Sequence, residues 1–220
     1  MRERVIKPEI LDSLPQGHPD AEKNRRDIYL LGRLSGNYAR AASLLLEHQR
    51  PGDRILEIGA GGGELGQVIS KQLKGIPESI DYTGLDLWTR PDDWPQQWGW
   101  SQADLLDYAG YGDYNVLIGN FILHQFEDAP LRALFERIRH SFRLMIFCET
   151  ARHPWHLWQL RLAYLLGINY VTRHDGKVSI EAGFKPGELA PLLGLDDGSW
   201  HVQDGSTFMG CYWLVAERQV

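Results

Sequence analysis

The chain has 220 residues, 43% hydrophobic and 24% charged, the size and make-up of one ordinary domain with a real core. Its 23 Lys and Arg against 29 Asp and Glu leave a formal net charge of -6 with no basic block, which disfavours a grip on nucleic acid through phosphates. No apolar run approaches the roughly 20 residues of a bilayer span, two cysteines (Cys148 and Cys211) cannot build a disulfide framework, and Met1 to Lys7 leads into polar sequence, so a reducing, cytoplasmic setting without a membrane span is expected.

In chain order, the sequence is polar and irregular as far as Pro19. Two helical patterns follow, Asp20 to Leu34 (Ile28, Leu30, Leu31, Leu34) and Asn37 to His48 (Tyr38, Ala41, Ala42, Leu44, Leu45). After Pro51-Gly52-Asp53 the pattern alternates: strand Arg54 to Ile58, helix Glu64 to Leu73, strand Asp81 to Leu87, a weak strand Trp100 to Asp104, strand Tyr114 to Ile118, helix Pro130 to Phe142 and strand Arg143 to Cys148. An apolar helix, Pro154 to Gly167, and a short one, Pro186 to Leu193, precede strands Trp200 to Gln203 and Met209 to Ala216, which are separated by Asp204-Gly205. Strand and helix in alternation predict an α/β fold with a mostly parallel sheet, helices on both faces and a C-terminal antiparallel hairpin.

The most informative residues are Ile55-Leu56-Glu57-Ile58-Gly59-Ala60-Gly61-Gly62-Gly63-Glu64-Leu65-Gly66, where a strand runs through glycines straight into a helix. Such a turn lets a ligand approach the backbone. A dinucleotide fingerprint, Gly-x-Gly-x-x-Gly, fails because its third glycine falls on Glu64, a carboxylate where pyrophosphate needs the positive helix end. The pattern Glu-x-Gly-x-Gly-x-Gly at Glu57, Gly59, Gly61 and Gly63 instead resembles the first motif of the class I S-adenosylmethionine-dependent methyltransferases, whose cofactor has no phosphate. The resemblance implies a Rossmann-like three-layer sandwich with a seven-stranded sheet. It also implies an acid at Glu57 near the cofactor's ammonium group and a glycine backbone along its methionine and ribose part.

The likeness continues along the carboxyl edge of the sheet, where open α/β sheets bind ligands. Tyr82-Thr83-Gly84-Leu85-Asp86-Leu87 ends a strand in an acid able to accept both ribose hydroxyls. Asp86 lies further from the glycines than the about 20 residues of the dinucleotide pattern, and the segment 75–79 is expected to absorb the difference. Gln102-Ala103-Asp104-Leu105 matches the position of an acid near the adenine amino group, and Val116-Leu117-Ile118-Gly119-Asn120-Phe121 matches the substrate-facing motif. Trp88 would cover the adenine, though Trp94, Trp98 and Trp100 are close enough in sequence to compete for that place. Carried onto this chain, the cofactor contacts fall on Glu57, Gly59, Ala60, Gly61, Gly63, Asp86, Leu87, Trp88, Asp104, Leu105 and Asn120.

Methyl transfer from a sulfonium is an in-line displacement that chiefly needs the acceptor held about 3 Å from the methyl carbon; a base matters only where the acceptor must lose a proton. His124, four residues after Asn120, is one candidate base, against the alternative of a helix-capping or core histidine. His174, within Thr172-Arg173-His174-Asp175, is the other, against the alternative of a solvated turn at Asp175-Gly176. Here Leu11-Asp12-Ser13-Leu14-Pro15, Asn24-Arg25-Arg26-Asp27, Ser35-Gly36-Asn37 and the stretch from Arg173 to Ile180 are similar to small bacterial methyltransferases of quinone-biosynthesis type, associated with polyketide or phenolic-lipid pathways. That narrower resemblance implies that Asn37 and Tyr38 close over the cofactor and that the acceptor is phenolic or quinone-like, methylated on oxygen or carbon.

The stripe Trp155, Trp158, Leu162 and Leu165 suits a lid over an apolar, aromatic or lipid-like acceptor, core packing being its commoner explanation. His153 and His156 lack an assured third ligand, and no metal is expected. The expected organisation is an N-terminal helical cap over 1–50 and a methyltransferase domain over 51–220 with 152–195 as a substrate lid, working as a monomer or homodimer. Competing readings are an NAD-dependent oxidoreductase, a methyltransferase-fold protein that binds cofactor without catalysis, and a protein methyltransferase.

Overall fold

A computed structural model of the chain describes residues 1–15, 17–73 and 80–219; the expected loop over 75–79 lies outside them. Within these, β1 (Arg54–Ile58), β2 (Asp81–Asp86), β3 (Gly99–Gln102), β4 (Val116–Asn120), β5 (Leu144–Thr150), β6 (Trp200–Ser206) and β7 (Cys211–Arg218) form one seven-stranded sheet in the order β3-β2-β1-β4-β5-β7-β6. The first five strands are parallel, and β7 enters antiparallel between β5 and β6. The order reverses at β1, so the loops after β1 and β4 open side by side at the switch point.

Alternation along the central strands divides the core between two faces. Leu56 and Ile58, Leu117, and Met145 and Phe147 point toward α4 (Asp128–Ile138) and α7 (Leu189–Leu192). Ile55, Val116 and Ile118, and Leu144 and Ile146 point toward α2 (Asn37–His48) and α3 (Glu64–Gln72). The result is a three-layer α/β/α sandwich. Trp94 and Trp98 are buried on the α2/α3 face with Tyr82, whose ring stacks on Trp98 at 4.5 Å. Gly63 and Gly66 make room for Trp94: a Cβ on Gly66 would lie 2.5 Å from its ring.

Three further helices build the roof. α1 (Pro19–Ser35) starts with the His18 side chain accepting from the Asp20 amide at 3.2 Å and ends at Gly36 with φ 80°. Its buried face holds Asn24 and Asp27, while Leu30 and Leu34 of the apolar pattern are about half exposed. α5 (Pro154–Ala163) is capped by His153. α6 (Tyr170–Ala182) occupies the stretch where Asp175-Gly176 suggests a solvated turn. Tertiary demands outweigh local signals here: Asn169 caps the helix, Asp27 accepts from the Asn169 amide and the Thr172 hydroxyl, and Gly176 lets α6 approach Leu160 of α5.

Two other expectations are corrected. β6 runs through Asp204-Gly205 because Gly205 sits against the Trp213 ring, and the chain reverses at Thr207 to Gly210 instead. The α5 stripe is not core: Trp155, Trp158, Leu162 and Leu165 are all exposed.

The first fifteen residues form a strap across the roof rather than a free tail. Arg4 donates to the carbonyls of Ala182 and Phe126 and pairs with Asp128, and buried Arg152 holds the carbonyls of Met1 and Arg2. The Ile10 and Leu11 amides both donate to buried Asp175, at 2.8 and 3.0 Å.

Candidate active site

The glycine loop leaves β1 with Gly59, Gly61 and Gly63 all at positive φ, a conformation L side chains rarely adopt. Their reasons differ. A Cβ on Gly59 would lie 2.5 Å from Ile122, so this glycine admits the neighbouring loop after β4. A Cβ on Gly61 would meet nothing closer than Glu64 Oε2 at 3.7 Å, so this glycine borders open space. The Glu64 carboxyl is folded back under Gly62, and its burial raises its pKa. Ala60 is buried, its amide 3.2 Å from the Leu85 carbonyl.

Asp86, at the end of β2, is tied to this loop. Its Oδ2 accepts from the Gly61 amide at 2.8 Å and its Oδ1 from the Trp88 amide at 2.9 Å. Each oxygen keeps further accepting capacity. The half-buried Trp88 ring carries the Arg25 guanidinium on its face at 3.7 Å. Leu87 is exposed, Asp104 is exposed with Oδ1 accepting from the Leu106 amide, and Leu105 packs in the core.

Glu57 is buried and accepts from the Tyr82 hydroxyl at 2.9 Å. Burial pushes its carboxyl up to about 8; the Tyr82 bond opposes this, and the nearby negative charges of Glu64 and Asp86 add to it. Asn120 ends β4 with its Oδ1 buried and without a partner among the described residues. Such an orphaned acceptor is costly unless something donates to it. Asn37 ties α2 to β5: its Nδ2 donates to the Glu149 carbonyl at 3.3 Å and its Oδ1 accepts from Ser35. Tyr38 packs edge-on against Phe121, and a Cβ on Gly32 would collide with its ring.

On the far side of Phe121, itself at φ 57°, a cavity of about 300 Å³ opens beneath the roof. Apolar residues of α1 and α5, among them Ile28, Leu31 and Leu160, line one side; Glu9, His124, Thr172, Asp175 and Ser179 line the other. His124 is 3% exposed. Its Nδ1 lies 2.6 Å from Glu149 Oε2 and its Nε2 3.6 Å from Glu9 Oε1. Burial alone would lower its pKa, but the charges and hydrogen bonds of Glu149 and then Glu9 outweigh it and raise it to about 9. Glu149 also accepts the Ile122 and Leu123 amides through Oε1, and Glu9 accepts the Ser179 hydroxyl at 2.6 Å.

His174 is half exposed, pairs with Asp175 at 3.0 Å and is absent from the cavity wall. The two candidate histidines therefore do not share a site. Glu149 and Glu9 were not singled out in the sequence. Glu149 carried a usable signal, an acid at the carboxyl end of a strand. Glu9 carried none, since the strap that delivers it is held by contacts more than a hundred residues away.

No protein-family model and no curated protein matches the chain. Its fold is matched by solved structures. The plantazolicin methyltransferase BpumL, in complex with a triazolic desmethylPZN analog and SAH, superposes with a TM-score of 0.71 at 13% identity, covering 96% of this chain and 93% of that one. Human N-acetylserotonin methyltransferase in complex with SAM gives a TM-score of 0.60 at 16% identity over 95% of this chain and 61% of that one. Magnesium protoporphyrin IX methyltransferase from Synechocystis PCC 6803, with bound SAH, gives 0.55 at 15% identity over 96% and 92%. The fold is that of the Rossmann-like S-adenosylmethionine-dependent methyltransferases.

Proposed function

We propose that the chain is an S-adenosylmethionine-dependent methyltransferase acting on a small, largely apolar acceptor with a phenolic or quinone-like ring, on oxygen or carbon. The observation that carries the reading is the turn from Asn120 to His124, whose start, at the β4 end beside β1, presents a buried acceptor without a partner among the described residues and whose end forms the wall of an apolar cavity. One short turn thus joins a cofactor cradle to an acceptor chamber.

The residues fit the cofactor. Gly61 borders open space, Asp86 retains accepting capacity for ribose hydroxyls, Asn120 Oδ1 needs a donor, and Glu57 holds a proton that a cationic ammonium would displace. When bound, the group supplies an electrophilic methyl on a sulfonium. Trp88 with Arg25 would cover the adenine, and Asp104 would accept from its amino group. Asn37 and Tyr38 would support the cofactor side of the roof through Glu149 and Phe121.

The cavity residues do the remaining work. Apolar side chains of α1 and α5 bury the acceptor ring and exclude water, while His124 faces its polar end. With Glu149 fixing its Nδ1 and Glu9 set near Nε2, the imidazole is poised to exchange a proton at Nε2 with an acceptor hydroxyl. His174 would act through Asp175 and the strap. In this reading the strap and α1 cap the chamber and the segment 152–195 supplies its lid; the setting is cytoplasmic. The test is a turnover screen of phenols and quinols with S-adenosylmethionine, read by mass spectrometry as a gain of one methyl. Transfer to a ring hydroxyl or ring carbon supports the reading, and transfer only to protein side chains refutes it.

A further inference from the structure

The rim of the cavity continues into an apolar surface that the proposed chemistry does not use. Trp155 and Trp158 of α5 stack with ring centroids 4.8 Å apart, and Phe208, in the turn between β6 and β7, lies 5.4 Å from Trp155. Phe208 is 70% and Leu165 84% exposed, with Trp158, Leu162 and Met209 about half exposed. The Gln159 side chain donates to the Phe208 carbonyl at 3.0 Å and meets His156 Nδ1 at 2.7 Å, so helix and turn are fixed to one another. Single exposed apolar side chains are ordinary on a soluble surface, but a contiguous group around two stacked tryptophans marks a contact surface.

Charge is as uneven there as polarity. From His153 to His174, and again from Gly205 to Ala216, the sequence holds no Asp or Glu, and its only formal charges are Arg161 and Arg173, both exposed. Asp20 lies against the far end of this stretch, at Asn169 and Tyr170, so in a chain of net charge -6 it is α5 and the turn at Phe208 that form a locally cationic, aromatic face. An isologous contact with a second copy would oppose two faces of the same positive charge. Tryptophan, with an apolar ring and a polar N–H, suits the boundary between headgroups and acyl chains, and arginine suits anionic headgroups.

We infer that this face docks on an anionic lipid surface, with Trp155, Trp158, Phe208 and Leu165 entering the boundary region and Arg161 meeting the headgroups. Met209 and Gln159 belong both to this face and to the cavity wall, so docking sets the cavity mouth toward the lipid. The inference does not depend on the cofactor.

Sedimentation of the full chain with phosphatidylcholine vesicles, with and without phosphatidylglycerol, tests it. Binding should require phosphatidylglycerol, weaken with added salt, and fall roughly tenfold or more in Trp158→Glu/Phe208→Glu. Arg161→Glu should weaken it as well, by roughly tenfold. These side chains are exposed, so the thermal melt should stay close to that of the native chain. No binding to phosphatidylglycerol vesicles, or equal binding by the double variant, overturns the inference. So does a native dimer in solution that the double variant splits, which would assign the face to a second copy.

Discussion

His124 Nδ1 lies 2.6 Å from Glu149 Oε2, while Glu149 Oε1 accepts the Ile122 and Leu123 amides. One carboxylate at the end of β5 thus orients the imidazole and pins the turn that carries it. With Glu9 on the other side, His124 sits between two carboxylates and is charged at neutral pH, as its pKa of about 9 requires. A base must first lose that proton.

Turnover on a phenolic acceptor should therefore rise with pH toward about 9 rather than level off near the ordinary imidazole value of about 6.5. Glu149→Gln should move the rise to lower pH. His124→Ala should cut turnover by about 10² to 10⁴ with cofactor affinity intact, as followed by steady-state rates and calorimetry. Unchanged turnover in both His124→Ala and His174→Ala would leave positioning alone to carry the reaction.

The same pair makes stability depend on pH. His124 has a folded pKa raised above its unfolded one, so its contribution is full below about 6.5 and is lost as pH rises through about 9. Thermal melts of the native chain should show that loss, and His124→Gln should flatten it. An equally steep loss in the variant would assign it to other groups.

Asp86→Ala should weaken the cofactor by about 1.5 to 3 kcal/mol, roughly ten- to a hundredfold, because it removes a charged acceptor and frees the Gly61 and Trp88 amides. Asp104→Ala should cost less, since an exposed carboxylate meets at most one amino group. Calorimetric affinities that ignore both changes would refute the strand-end assignment.

The glycines should separate by role. Gly59→Ala drives a Cβ into Ile122 and should lower the melting temperature. Gly61→Ala has room, and its fold should lose only the about 1 to 2 kcal/mol of a left-handed residue. Gly61→Val adds bulk on the cofactor's side and should abolish cofactor binding. Near-native affinity in Gly61→Val would make the loop purely structural.

Cys148 and Cys211 lie on adjacent antiparallel strands, both buried and free, with the Cys148 thiol pushed up by its hydrogen bond to Cys211 and by burial. Thiol reagents should label neither quickly in the folded chain; rapid labelling of both would contradict the packing.

The sheet was legible because strands with glycine or acid at their carboxyl ends impose a strong local pattern, as at Ile58-Gly59 and Leu85-Asp86. The glycine loop after β1 was legible for the same reason. The roof was not. α6 runs straight through Asp175-Gly176, where a turn is the alternative, with Asn169 capping it, Asp27 accepting from the Asn169 amide and Asp175 holding the strap. The Trp155 to Leu165 stripe has helical spacing whether it faces a core or solvent, so periodicity could not place it. Glu9 reaches His124 through a strap whose anchors lie in α6, at Arg152 after β5, and at Phe126 and Asp128, information no local stretch contains.

Glu57 is where a cationic cofactor would be felt most directly: its buried carboxyl, pushed up to about 8, should give up its proton to such a ligand. Calorimetric titration of the chain with S-adenosylmethionine at pH 7, repeated in buffers of different ionisation enthalpy, measures affinity and proton release together. Micromolar binding with release of up to about one proton, lost in Glu57→Gln, is the predicted result. Binding of NAD with no binding of S-adenosylmethionine or its demethylated product would contradict it.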